Sequence, residues 1–162
     1  MNKKEINMNR IPSFSIDHTR LLRGIYLSRQ DDDVMTWDVR IKEPNHGDYL
    51  SNGVSHTIEH LFATYARNSR FQHGVIYIGP MGCRTGAYFL TRGLSKQEVL
   101  DCVKASFAFI KDFEGEIPGA KVEECGNYLD HDLQGCREEA AKYLEVLEKM
   151  TVEDMEYKFY LD

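Results

Sequence analysis

Two histidines and a glutamate lie within one short motif, His56-Thr57-Ile58-Glu59-His60, which has the form HxxEH. Residues four apart on a helix share one face, so both imidazoles could bind one metal ion while Glu59 stands beside them. In known metallohydrolases a carboxylate in this arrangement moves protons. Taken alone, the motif fits a helix with two ordinary surface or half-buried histidines equally well.

A catalytic metal site usually has three protein ligands and one open position, so the two histidines need a partner from elsewhere in the chain. Cys125 is the best candidate. It lies in the polar segment 123–127, where a buried structural cysteine would be out of place, and Gly126 allows a tight turn beside it. The alternative interpretation is an incidental loop thiol.

A second segment with chemical potential is Pro80-Met81-Gly82-Cys83-Arg84-Thr85-Gly86. Two glycines bracket Cys83, so its thiol could face a pocket rather than the core. Positive charge from Arg84, or from Arg40, would favour the thiolate. The segment also fits a hairpin turn with a small apolar filler.

The composition limits the class of protein. The 162 residues are 42% hydrophobic and 28% charged, which is typical of a globular chain and fits a single domain, 1–162. A net charge of −6 argues against nucleic acid and anionic lipid as partners, so we expect a small molecule. The chain has no long apolar stretch, and residues 1–10 are polar, so we expect a cytoplasmic location with reduced cysteines.

Periodicity predicts the elements that position these residues. Alternation predicts a strand over 34–41 with Arg40 pointing away from the core, and weaker patterns predict strands at 21–28, 74–78 and 87–91. Apolar spacing predicts three helices. The first spans residues 55–68, the second begins at a Ser95–Glu98 capping box and ends before Pro118, and the third spans residues 132–149. Residues 1–12 and about 151–162 are candidates for loose termini. Together these elements predict an α+β fold, with helices packed on a mostly antiparallel sheet.

The motifs taken together resemble one known family. The segments HTIEH and PMGCRTG, followed by Cys125-Gly126 and His131, match the S-ribosylhomocysteine lyase (LuxS) family in order and spacing. The resemblance covers about residues 13–147 and includes Ser13-Phe14, Asp17-His18, Asp38-Val39-Arg40 and Pro44-Asn45. It departs from the family at Ile76-Tyr77-Ile78-Gly79, where the family usually has Ile-Asp-[Ile/Val]-Ser, and at Glu124, which replaces an uncharged polar residue.

The resemblance implies a function and a set of roles. It implies cleavage of S-ribosylhomocysteine to homocysteine and 4,5-dihydroxy-2,3-pentanedione, the precursor of autoinducer-2, in a homodimer with interfacial active sites. It implies one divalent metal per subunit, with Fe²⁺ expected and Zn²⁺ or Co²⁺ able to substitute. We assign the metal ligands to His56, His60 and Cys125. As hypotheses, Cys83 and Glu59 transfer protons, and three residues bind the substrate: Ser13, His18 and Arg40.

Three other functions stay open at this point. The first is a paralogue with a shifted substrate, and the second is a metallopeptidase of the HxxEH type. The third is a non-catalytic module whose closed metal site only stabilises the fold, with Cys83 or His131 as the fourth ligand.

Overall fold

Four antiparallel strands form one sheet in the computed structural model, which describes residues 6–162. The strands are β1 (Gly24–Asp31), β2 (Val34–Arg40), β3 (Val75–Pro80) and β4 (Gly86–Arg92), and their order in the sheet is β1-β2-β4-β3. The segment PMGCRTG connects β3 to β4, as predicted. The first strand lies three residues further along the chain than its sequence pattern indicates.

Among the described residues, three α-helices accompany the sheet: α1 (Asn52–Asn68), α2 (Lys96–Asp112) and α3 (Leu133–Leu147). The predicted capping box is present, since the Ser95 side chain accepts from the Glu98 N–H and the Glu98 side chain accepts from the Ser95 N–H. Helix α1 begins earlier than predicted because the Ser51 side chain caps it by accepting from the Val54 N–H. The α+β class with an antiparallel sheet is confirmed.

Aromatic contacts join the sheet to the helices. The ring of Phe62 on α1 lies 5.1 Å from Phe89 on β4 and 5.5 Å from Phe107 on α2, and Phe107 lies 4.8 Å from Tyr143 on α3. All four residues are fully buried, together with Trp37 on β2. This apolar packing holds α1, which carries the HxxEH motif, against the sheet.

The other side of β2 carries Asp38 and Arg40. The sequence pattern predicts that Arg40 points away from the core, yet Asp38 is 0% and Arg40 3% exposed. Residues 151–162, expected as a loose terminus, cover this side: the Tyr157 hydroxyl donates to Asp38 Oδ2 at 2.5 Å. The same segment is held by an antiparallel bridge between Ile16 and Tyr160. A polar face is therefore buried because a distant segment of the chain pairs with its charges.

Within residues 6–162, no helix is both long enough and apolar enough to cross a membrane. Residues 1–5, which belong to the segment 1–12 expected to be loose, lie outside the described residues.

Candidate active site

The predicted metal donors come together at one end of α1. Helix α1 presents His56 and His60 one turn apart, and the loop that follows α2 brings Cys125 to them. Cys125 Sγ lies 3.4 Å from His56 Nε2 and 3.9 Å from His60 Nε2. A tetrahedral zinc ion would separate a nitrogen and a sulfur ligand by about 3.6 Å, calculated from standard bond lengths. The spacing of the three donors therefore fits a divalent metal.

Hydrogen bonds set the tautomers of the two histidines. His56 Nδ1 lies 2.8 Å from the Asp130 carbonyl oxygen, and His60 Nδ1 lies 2.8 Å from the Pro118 carbonyl oxygen. A carbonyl oxygen only accepts, so each Nδ1 carries the proton and each Nε2 keeps its lone pair for a ligand. In the neutral form of both rings, Nε2 is therefore the atom available to a metal.

A fourth residue, His131, lies against this group. One donor atom from each of His56, His60, Cys125 and His131 falls within 4.8 Å of the others. The Thr57 hydroxyl donates to the Gly53 carbonyl oxygen, so it accepts from His131 Nδ1 at 3.0 Å, and His131 Nε2 keeps a buried lone pair without a described partner. Burial, first, and then the neighbouring His56 and His60 lower the pKa of His131, so its ring stays neutral near pH 7.

The orientation of His131 differs from that of a converging ligand. Its ring stacks on His56 with centroids 4.0 Å apart and planes 22° apart, whereas His56 and His60 meet at 82°. Lone pairs lie in the ring planes, so those of two stacked rings run side by side. His131 also lines a separate cavity of about 490 Å³ behind the donors, beside Lys121 and Tyr128. The ring orientation and this second cavity distinguish His131 from the three predicted ligands.

Glu59 lines a cavity of about 530 Å³ that also reaches His56, and we call it the metal cavity. The other residues that line it are Asn52, Ser55, His56, Pro80, Met81, Gly82, Arg84, Asn127 and Asp130. The Glu59 side chain is half-buried, and its carboxylate has no hydrogen bond or ion pair with another described residue. It is therefore available to exchange protons with a molecule that enters the cavity.

Cys83 faces a second cavity of about 460 Å³, which we call the thiol cavity. Its lining contains the three predicted substrate residues, Ser13, His18 and Arg40, together with Phe14, Pro44, Asn45, Tyr49, Pro80, Met81, Gly82, Thr85 and Tyr88. Cys83 Sγ lies 3.1 Å from Thr85 Oγ1 and 4.0 Å from Arg40 Nη1. The tight connection that exposes the thiol contains Arg84 in a left-handed conformation, with φ of 61°. The structure thus brings Cys83 and all three predicted substrate residues to one place.

Asp38 stabilises the positive charge of Arg40. Burial alone would lower the pKa of Arg40, but Asp38 more than reverses this effect, so the net pKa lies above its ordinary value. Arg40 Nη2 donates to Asp38 Oδ2 at 2.6 Å, and Arg40 Nη1 donates to Thr85 Oγ1 at 2.7 Å. A permanent cation therefore lies beside the Cys83 thiol.

Sequence reasoning missed two residues of this network, Thr85 and Tyr157. Thr85 lies two positions after Cys83 inside the recognised segment, so its place on the same turn was a usable signal. Tyr157 had no such signal, because 119 residues separate it from Asp38.

The two cavities are adjacent but distinct. They share Pro80, Met81 and Gly82, while Cys83 lines only the thiol cavity and Glu59 only the metal cavity. One chain therefore presents two cavities on either side of the segment that enters the cysteine loop.

Comparison with known proteins agrees with this arrangement. The family model described as S-Ribosylhomocysteinase (LuxS) matches residues 11–154, which include every residue discussed above except Tyr157 and Tyr160. S-ribosylhomocysteine lyases from three organisms are similar to this chain. The sequence identity to this chain is 52% for the enzyme of Phocaeicola vulgatus, 48% for that of Porphyromonas gingivalis and 43% for that of Finegoldia magna. Each alignment covers 93% of this chain and 98–99% of the relative. The family match over nearly the whole chain, the His₂Cys donor set and the cysteine loop lead to one conclusion: this chain belongs to the S-ribosylhomocysteinase (LuxS) family.

Proposed function

We propose that this chain cleaves S-ribosylhomocysteine to homocysteine and 4,5-dihydroxy-2,3-pentanedione, the precursor of autoinducer-2. The observation that carries the proposal is the position of Cys83, beside a buried Arg40 in a cavity that also contains Ser13 and His18. The same chain brings His56, His60, Cys125 and His131 together as possible metal ligands. This combination suits a reaction that moves protons on a polar sugar.

The chemistry explains why both halves are needed. The carbon–sulfur bond of a thioether is unreactive until a carbonyl lies on the third carbon from sulfur, which places sulfur on the carbon β to that carbonyl. Moving the sugar carbonyl along its chain requires repeated removal and return of protons on neighbouring carbons. A base then removes the proton between carbonyl and sulfur, the electron pair forms a carbon–carbon double bond, and the carbon–sulfur bond breaks. Sulfur leaves as a thiolate and gains a proton as homocysteine.

A divalent metal held by His56, His60 and Cys125 would supply Lewis-acid polarisation of the sugar oxygens. We propose Fe²⁺ as that metal, with Zn²⁺ or Co²⁺ able to substitute, because imidazole and thiolate ligands suit all three. The half-buried Glu59 carboxylate exchanges protons on the metal side.

Cys83 acts as the base on the other side of the sugar. The Arg40 guanidinium favours its thiolate form, and the Thr85 hydroxyl lies within hydrogen-bonding distance of its sulfur. His18 Nδ1 donates to the Ile16 carbonyl oxygen at 2.8 Å, so its Nε2 is free to accept from a substrate hydroxyl. Ser13 offers a hydroxyl at the edge of the same cavity.

The separation of the cavities supports a homodimer in which the thiol cavity of one subunit meets the metal cavity of the other. One exposed apolar side chain lies near each cavity. Phe14 lies at the thiol cavity and is 66% exposed, and Leu129 lies on the loop that carries Cys125 and is 77% exposed. Apolar surface beside a half-formed site is suited to pairing between identical copies.

Mixed dimers test this arrangement. Cys83→Ala and His60→Ala proteins should each be inactive, because one lacks the thiol and the other lacks a metal ligand. After subunit exchange in an equal mixture, half of the dimers are mixed and each has one intact site. About a quarter of wild-type activity should therefore return. No recovery in a mixture shown by mass spectrometry to contain mixed dimers would exclude shared sites.

The activity itself is tested by thiol release from S-ribosylhomocysteine. Protein purified without oxygen and loaded with Fe²⁺ or Co²⁺ should release homocysteine, and its Cys83→Ala variant should not, while both bind equal amounts of metal. Retention of activity by Cys83→Ala would reject the assigned base. Absence of activity in metal-loaded wild type would favour a paralogue with a shifted substrate. Peptide cleavage that persists in Cys83→Ala would favour a metallopeptidase.

One observation favours a second candidate function, a closed metal site that only stabilises the fold. His131 lies within reach of the other donors and could complete a four-ligand set. The absorption spectrum of Co²⁺-loaded protein discriminates between the two. An open site should change its visible bands when a substrate analogue is added, whereas a closed site should not. Location in the cytoplasm and the absence of nucleic-acid and membrane partners stay predictions from composition.

A further inference from the structure

Tyr157 and Arg40 bind the same carboxylate oxygen. The Tyr157 hydroxyl donates to Asp38 Oδ2 at 2.5 Å, and Arg40 Nη2 donates to that oxygen at 2.6 Å. Burial, first, and then Asp38 raise the pKa of Tyr157 well above its ordinary value, so the hydroxyl keeps its proton and remains a donor. Asp38 therefore shares its negative charge between a cation and a neutral hydroxyl.

Few contacts hold the guanidinium in place. Besides Asp38, Arg40 donates to Thr85, and its Nε atom has no partner among the described residues. The second oxygen of Asp38, Oδ1, also has none within residues 6–162. A network with so few bonds is sensitive to the loss of any one of them.

We propose that Tyr157 is a positioning residue for Cys83, which acts by holding Asp38 and Arg40 in the arrangement that keeps the guanidinium facing the thiol. This inference rests on the proposed function of Cys83. The hydroxyl bond to Oδ2 offsets part of the carboxylate charge, so Arg40 is less fully neutralised. Without that bond, Asp38 attracts the guanidinium more strongly, and the positive field at Cys83 becomes weaker.

The C-terminal segment is built to hold Tyr157 there. Its ring stacks on Tyr26 of β1 with centroids 5.2 Å apart and planes 16° apart. The Leu27 N–H donates to the Met155 carbonyl oxygen, and the Leu161 N–H donates to the Ser15 carbonyl oxygen. A phenylalanine at position 157 would keep the ring stacking and lose only the hydroxyl, so the variant should fold.

The titratable groups that line the thiol cavity with Cys83 come from four parts of the fold. Arg40 comes from β2, Tyr88 from β4, His18 from the N-terminal segment and Tyr49 from the loop before α1. Burial raises the pKa of Tyr88, which therefore stays neutral. Arg40 is the only permanent cation among the residues that line the thiol cavity.

The test compares metal-loaded Tyr157→Phe with Tyr160→Phe, which removes a hydroxyl from the same segment. The Tyr160 hydroxyl has no hydrogen bond with any described residue, and its side chain is exposed. The rate at which iodoacetamide modifies Cys83 at pH 7, followed by mass spectrometry, should fall about tenfold in Tyr157→Phe, and not in Tyr160→Phe. Turnover should fall by a similar factor with little change in KM.

Two further readouts separate positioning from a general structural defect. The deficit of Tyr157→Phe should narrow as pH rises towards 9, because hydroxide then forms the thiolate without help from Arg40. In an Arg40→Met background, Tyr157→Phe should have no additional effect on alkylation. An unchanged alkylation rate in Tyr157→Phe, or a deficit that is equal at all pH values, would overturn the proposal. If alkylation slows as expected but wild type releases no homocysteine, the proposed function fails while the positioning role stands.

Discussion

The ring of Tyr77 lies across Gly79 on the strand that enters the cysteine loop. A Cβ atom added to Gly79 would stand 2.6 Å from Tyr77 Cε1 and 3.1 Å from its hydroxyl oxygen. These are the two positions at which this strand departs from the usual family pattern. The departures are therefore coupled in space, because the absence of a side chain at position 79 makes room for the tyrosine.

Substitution of Gly79 by serine should displace the Tyr77 ring. Tyr77 is 53% exposed, so its ring can move towards solvent and the loss of stability should be no more than about 1 kcal/mol. In a Tyr77→Ala background the same substitution should be close to neutral. Urea unfolding of the two single variants and the double variant measures this coupling, and equal costs of Gly79→Ser in both backgrounds would contradict it.

Thr57 should be more important for stability than its motif position suggests. Its fully buried hydroxyl donates to Gly53 and accepts from both the Asp132 N–H and His131 Nδ1. Thr57→Val would leave buried donors without partners, so we expect a loss of about 2–4 kcal/mol and a lower melting temperature. Thr64→Val, on the same helix but only half-buried, is the matched control. A melting temperature equal to that of the control would reject this role.

The number of cysteines that react with a thiol reagent should increase when the metal is removed and again when the protein unfolds. The four cysteines are unpaired, and Cys83 is the exposed one. Burial raises the pKa of Cys102 to about 11 and of Cys136 to about 12, so neither should react near pH 8. A disulfide reagent should therefore modify Cys83 alone in metal-loaded protein, Cys83 and Cys125 after chelation, and all four after unfolding. Reaction of Cys125 at equal rates with and without metal would argue against its role as a ligand.

Stability should fall at alkaline pH because of the two buried thiols. The pKa values of both thiols are higher in the folded chain than in the unfolded chain. Their contribution to the free energy of unfolding is therefore fully present below the unfolded pKa, near 9. Above that pH, the unfolded chain loses protons that the folded chain keeps, and the free energy of unfolding decreases. Each thiol contributes at most about 1.4 kcal/mol per pH unit between its two pKa values.

Urea unfolding between pH 8 and pH 10 measures this slope. The Cys102→Ala and Cys136→Ala variants should each show a shallower decline than wild type, whatever their stability at pH 8. An identical slope in wild type and both variants would show that other groups cause the alkaline loss.

The local features of this protein could be predicted from its amino-acid sequence. Four-residue spacing places His56 and His60 on one helix face, and the Ser95–Glu98 capping box forms as predicted, because both depend on neighbours within one helical turn. The cysteine loop was also predictable, because it occupies a short connection between two strands whose alternation is visible in the sequence.

Only the tertiary structure decided which distant segments meet. The sequence pattern predicts that Arg40 points away from the core. In the structure, the C-terminal segment covers this face and Tyr157 binds Asp38, which no local sequence pattern predicts. The separation of Cys83 from Glu59 into two cavities is likewise invisible in the sequence. Spacing along the chain encodes contacts within an element, whereas contacts between loops depend on how all the elements pack, and no periodicity records that.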